Sequence, residues 1–355
     1  MPEPREAARI DSPTSAARPV LATPLVGTPA QQGSGPPDPL LSLGGPAAIP
    51  QPDALANADA MAAAQAGLTI KARSQFQMAY ARFIHHKMAL IGLGTFVAIL
   101  LFSTIGPLFW HYNYAQITNQ FGTGPSLAHP FGTDTIGHDN FAQMMAATST
   151  SIETALVVAG IATALGTLVG AAAGYYGKWA DALLMRFTDL ILIVPGLVIL
   201  LVLANTVSKA AGNWLWIALI LAALFWTYLA RLVRGVFLSL REREFIEAEH
   251  AIGASGARII LRHLIPNAIG PIVVNATLTI AQAILVEAAL SFLGLGIQPP
   301  QVSLGYLIAQ GEGAATVLPY LFYFPAAFLI VIVLAVNFIG DGLRDALDPQ
   351  QRVRA

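Results

Sequence analysis

TALVVAGIATALGTLVGAAAGYYG, Thr154 to Gly177, contains no Asp, Glu, Lys, Arg or His and is flanked by Glu153 and Lys178. About 20 apolar residues in a helix cross about 30 Å of hydrocarbon, so this stretch reads as a membrane span. It carries Gly166, Gly170 and Gly174 on one helical face. Small residues four apart let a second helix backbone approach closely, which makes this ridge a helix-packing seam. The competing reading is that glycine is simply common in membrane helices.

Five more uncharged runs accompany it: Met88–Trp110, Leu190–Ser208, Ala210–Ala230, Leu264–Val286 and Ala314–Gly340. Only Lys209 separates the third span from the fourth. The expected architecture is an all-α polytopic membrane protein with six transmembrane helices. Of 355 residues 55% are hydrophobic and 11% charged, against roughly a quarter charged in soluble domains. The chain has no cysteine, which excludes disulfides, thiolate metal sites and cysteine nucleophiles. No apolar segment followed by a small-residue cleavage site opens the chain, so no cleaved signal peptide is expected.

Orientation follows from the basic residues. Trp110–Glu153 and Ser291–Gly313 contain no Lys or Arg, whereas 18 of the 19 Lys and Arg fall on the other side and only Lys209 is the exception. The positive-inside rule then puts both termini in the cytoplasm. The expected organisation is a disordered Pro/Ala/Gly-rich tail at 1–70, an amphipathic interfacial helix at 71–87, a first span at 88–110 and a periplasmic loop at 111–153. A core of five spans follows at 154–342, with a cytoplasmic loop at 241–267 and a periplasmic loop at 291–313, then a cytoplasmic end at 343–355. A short helical signal occupies Ala54–Ala66. Phe76, Tyr80, Phe83 and Ile84 share one helical face; they fit either a helix along the inner membrane surface or a plain extension of span one.

REREFIEAEHAIGASGARIILRHLIPN, Arg241 to Asn267, is the functional signal. Its first half is charged and helix-favouring. Gly253 and Gly256 permit a turn, and a basic amphipathic helix Arg258–Leu264 leads to Pro266. A charged helical insertion between two membrane spans suits docking against a soluble partner. Here the sequence resembles the EAA loop of ATP-binding-cassette importer permeases, through Glu247-Ala248, Gly253 and Ile265-Pro266. Glu249 and His263 depart from that pattern. FGTD at Phe131–Asp134 with Gly137 and Asp139, GYYG at Gly174–Gly177 with Asp181, Met185-Arg186 and Asp189, EAALSFLGLGIQ at Glu287–Gln298, and NFIGDGLRDALDP at Asn337–Pro349 narrow the likeness. Over residues 75–350 the chain resembles the C-type permease of dipeptide and oligopeptide transporters, departing at His138, Ser149 and Leu304.

That resemblance implies a type I importer permease fold with a cytoplasmic coupling helix, and no catalytic residue or bound cofactor in this chain. ATP and magnesium would belong to two separate ATPase subunits. A homologous second permease and an extracytoplasmic substrate-binding protein would complete the complex in the inner membrane. Glu247, Ala248, Glu249, Gly253, Ala254 and Ser255 would form the ATPase-coupling contact. Glu287, an acid near a span end, either lines the outer gate or anchors the interface, and the structural role is the better fit. Arg186 and Asp189 are expected to pair on one helix face.

Other classes fit less well. Gly177-Lys178 lacks the earlier glycine of a phosphate-binding loop, because Ala172 stands there. Gly253-Ala254-Ser255-Gly256 has a superficial serine-protease form, but an intramembrane protease needs its serine and a histidine at membrane depth. All seven histidines lie outside the apolar runs. An ion-coupled secondary transporter would place ionisable groups near the midplane, and none is evident. Basic stripes with interleaved aromatics are absent too, which gives no sign of nucleic acid.

Overall fold

The computed structural model describes residues 75–211 and 213–347. The expected tail at 1–70, the signal at Ala54–Ala66 and the arginines Arg352 and Arg354 lie outside the described residues. Among the described residues the regular structure is helical apart from two isolated bridges, Ile117 with His138 and Thr133 with Asp139, in the loop between Phe109 and Asn140.

Helix α1, Gln75–His85, precedes α2, Lys87–Thr104, and α3, Gly106–Phe109. The break between α1 and α2 is His86, whose backbone is extended and whose ring accepts the Ala89 N–H at 3.1 Å. A side-chain cap at that position starts a new helix rather than continuing the old one.

α4, Asn140–Tyr176, begins well before the apolar run at Thr154. At 1.5 Å per residue its 37 residues extend about 55 Å, beyond the hydrocarbon thickness of about 30 Å. Its polar first turns hold because Asn140, Gln143, Thr148, Ser151 and Thr154 are buried in protein rather than presented to lipid. Asp139 caps the helix by accepting the Ala142 N–H at 2.9 Å. The same carboxylate takes the Trp110 indole N–H and the His129 ring, each at 2.7 Å. One acid therefore fastens the loop 111–139 over the end of α4.

The third span is not a straight helix. It is built from α5, Lys178–Ile193, and α6, Gly196–Ala211, which meet at 79° across Val194-Pro195. Proline has no N–H to continue the ladder and pushes the preceding residue to extended backbone, as Val194 shows at ψ 131. Among the described residues five helices are individually long and apolar enough to span a membrane, and this bent pair, taken as one span, makes six. The chain is an all-α polytopic membrane protein.

α7, Trp214–Arg241, runs past the apolar stretch and carries Arg231 and Arg234 on its last turns. It pairs most extensively with α4. The reason is the glycine ridge: a Cβ on Gly170 would stand 2.8 Å from the Val233 side chain and against the Ala230 carbonyl, and one on Gly166 or Gly174 would strike Leu229 or Phe237. After α7 come α8, Glu244–Ala251, and α9, Gly256–Ile259. A π-turn, Ile260–Leu264, then leads into α10, Ile265–Phe292. Pro266 falls in the first turn of α10 without interrupting the helical path. The wider turn, closed by the Ile265 N–H to the Ile260 carbonyl, lets the helical path continue through a residue that cannot donate. α11, Leu304–Glu312, and α12, Tyr320–Leu347, complete the bundle.

A core from α2, α4, α6, α7, α10, α11 and α12 includes Met144, Ile152, Leu221, Ile284 and Ile332. A second cluster, with Val233, Phe237, Ile246, Ile259 and Leu264, lies where α7 meets the loop. Around the bundle Leu168, Leu190, Leu197, Val202 and Ile330 stay exposed, as expected of a surface solvated by lipid.

Candidate coupling site

The loop 241–267 is a helical hairpin with an apolar root. Ile246 of α8 and Ile259 and Leu264 beyond the turn are fully buried against Phe237. The root fixes how the tip is presented. Arg241 donates to the carbonyls of Gly174 and Tyr175, both at 3.4 Å. That ties the hairpin to the end of α4, where the last carbonyls have no helical partner.

Glu247 and Ala248 are exposed, and Glu249 is half-buried beside His263, 3.3 Å from its Nε2. α8 stops at Ala251 because Gly253 turns the chain with φ +79. Its N–H bonds to the His250 carbonyl and the Ala254 N–H to the Glu249 carbonyl, each at 3.0 Å. A left-handed residue that closes a helix end in this way is favoured as glycine. Gly256 is there for a different reason: a Cβ on it would lie 2.9 Å from the Tyr175 ring, and it starts α9. Ser255 is exposed, and its hydroxyl makes no hydrogen bond among the described residues. Without a base in reach it has no activated nucleophile's setting. Phe245, Ile252 and Leu261 stand exposed on the same hairpin.

Two ion pairs brace the bundle at this end. Arg234 binds Asp181 bidentately, with Nη2 2.6 Å from Oδ2, and Arg231 reaches Asp189 at 2.5 Å. The expected pairing of Asp189 with Arg186 is therefore corrected. Spacing of three on one helix competes poorly with an arginine delivered by α7, because α5 and α7 pack side by side. Sequence spacing does not reveal the partner across that gap.

Glu287 lies at the far end of the bundle and is wholly buried. Ser151 of α4 donates to its Oε2 at 3.0 Å and Ser291 to its Oε1 at 2.7 Å. Ser303 bonds to Ser291 at 3.1 Å. The serines in turn accept backbone N–H groups of Leu304, Ile297 and Tyr306. Glu287 thus clasps α10, α4 and the start of α11, and its carboxylate is enclosed by its own chain. The three serines left no mark in the sequence beyond ordinary small polar residues.

Residues 166–353 match the family described as the binding-protein-dependent transport system inner membrane component. Residues 74–130 match the N-terminal TM domain of oligopeptide transport permease C. The oligopeptide transport system permease protein OppC of Mycobacterium tuberculosis H37Rv is 41% identical over 272 residues, which is 76% of this chain and 93% of that protein. OppC of Bacillus subtilis 168 is 36% identical over 297 residues, covering 82% and 96%. The inward-facing MetNI methionine ABC transporter aligns at 20% identity with a TM-score of 0.46, over 56% of this chain and 94% of that one. The chain belongs to the inner membrane components of binding-protein-dependent transport systems. Within them it falls among the C-type oligopeptide permeases. It is a multi-pass inner-membrane transport subunit and not an enzyme.

Proposed function

We propose that this chain is one of two related permeases forming the translocation pathway of an ATP-driven peptide importer with the type I fold. Its relatives named as oligopeptide permeases support the substrate class. Two ATPase subunits, which bind ATP and magnesium, hydrolyse the nucleotide, and an extracytoplasmic receptor delivers the peptide. Both termini are cytoplasmic, in keeping with the bias of Lys and Arg.

The observation that carries this reading is the hairpin 241–267. Its root is anchored among Phe237, Ile246, Ile259 and Leu264, while Glu247, Ala248, Gly253 and Ser255 are left open. A rigid element with a bare tip can be gripped and moved as a lever. Closure of the ATPases would move the tip, and the buried root would transmit that movement to α7 and α10. The spans would then exchange outward-facing and inward-facing packings.

Gly253 tests this directly. A Cβ there meets nothing within 4 Å inside the chain, so a Gly253→Val substitution acts through φ +79 and through whatever docks on the tip. Left-handed backbone costs a side-chained residue about 1–2 kcal/mol. In proteoliposomes carrying the whole complex with its receptor, ATP-driven peptide uptake should fall by about tenfold or more. Normal uptake by that variant would remove the hairpin from coupling.

A further inference from the structure

A cavity of about 250 Å³ lies at the Glu287 end of the bundle, between the loop 134–136, the first turns of α4, and α11 with the chain that follows it. Its polar wall is Asp134, Asn140, Gln143 and Gln310, and Leu307 and Leu321 supply apolar surface. At roughly 30 Å³ per water it holds about eight waters, enough for one amino-acid residue.

Gln143 makes this more than a gap between loops. It is 5% exposed, yet its amide has no hydrogen-bond partner among the described residues, and it lines the cavity. The amide is not sealed off: its polar atoms face the cavity, where water or a ligand can meet them. Asn140, 2% exposed, spends its amide N–H on the Phe131 carbonyl at 3.1 Å, which leaves its carbonyl oxygen available. Gln310 likewise donates to the Tyr306 hydroxyl at 2.6 Å and keeps its oxygen. Asp134 accepts the Ile136 and His138 N–H groups at 3.0 and 2.7 Å and the His138 ring at 2.8 Å. These contacts hold the carboxylate in place. Burial pushes the Tyr306 phenol up, and the Asp134 charge adds to it. Neither 110–153 nor 291–313 contains a Lys or Arg. The cavity is therefore rich in acceptors, with the Asp134 carboxylate on its wall and His138 paired to that carboxylate from outside the lining.

We propose that this cavity is a binding subsite for a primary ammonium group next to an amide, the chemistry of a peptide's free amino-terminal residue. The proposal rests on the reading of the chain as a peptide permease. Asp134, Asn140 and Gln310 take the ammonium hydrogens, and the Gln143 amide pairs with the first peptide group. Because the clasp around Glu287 seats the start of α11, it also sets the position of Gln310.

The test uses the complete permease–ATPase complex without its receptor, with saturation-transfer NMR on trialanine, N-acetyl-trialanine and putrescine. Trialanine should receive transfer most strongly at its first methyl, and acetylation should abolish it. Gln143→Leu and, separately, the exposed Gln310→Leu should each weaken trialanine binding by about tenfold. Absent transfer, equal transfer to the acetylated peptide, or transfer to putrescine alone would overturn the subsite. So would loss of the second permease from purified Gln143→Leu complex, because the cavity would then be a subunit contact. ATP-driven uptake by wild-type complex with its receptor is measured in parallel; uptake without receptor-free binding sinks the subsite and leaves the permease reading standing.

Discussion

Glu287 makes the clearest case of a residue whose role is set by its neighbours' hydrogens. Ser151 and Ser291 each accept a backbone N–H and donate to the carboxylate. Both carboxylate oxygens are therefore needed as acceptors. In Glu287→Gln the amide nitrogen faces one hydroxyl donor to donor, and an unmade buried hydrogen bond costs about 1–3 kcal/mol. The purified complex should melt at a lower temperature, while uptake per folded complex stays unchanged. Normal melting with lost uptake would return Glu287 to the pathway. Identity alone marked this position as an acid near a span end; its enclosure depends on Ser151 and Ser303, brought from other parts of the chain, together with Ser291 one turn along α10.

Among elements, the α4–α7 pair is held by shape. The ridge Gly166, Gly170 and Gly174 was legible because spacing of four on a helix defines a face whatever the partner. Which helix fills that face was not, since nothing in one span names its neighbour. Gly170→Val would drive side-chain atoms into the Ala230 backbone and Val233, with overpacking of about 1–3 kcal/mol. A fall in melting temperature of several degrees is expected. Gly160→Val is the control, because a Cβ there meets nothing within 4 Å. Equal effects of the two would deny the seam. The break at Val194-Pro195 shows the opposite limit: the apolar run reads through a 79° bend, because hydropathy carries no direction.

For the whole molecule, the side of the membrane on which each end lies is the decisive quantity. A chain without cysteine is ready for single-cysteine labelling. An impermeant maleimide should modify Leu127→Cys in intact cells, since that side chain is fully exposed in the loop 111–139. Ala248→Cys should react only after the membrane is opened. Labelling of Ala248→Cys from outside would invert the topology and end the lever mechanism with it.

Length, apolar runs and the placement of charge determined that this is a polytopic helical membrane protein and which loop stands out of it. Those properties are additive along a chain, because each residue's transfer into lipid depends mainly on its own side chain. Tertiary structure alone decided that Asp189 answers to Arg231, that Gln143 is left unpaired beside a cavity, and that Glu287 is enclosed. Such facts depend on pairs of groups far apart in sequence. In a medium that offers no water, a polar group's role is set by whichever partner the fold delivers to it.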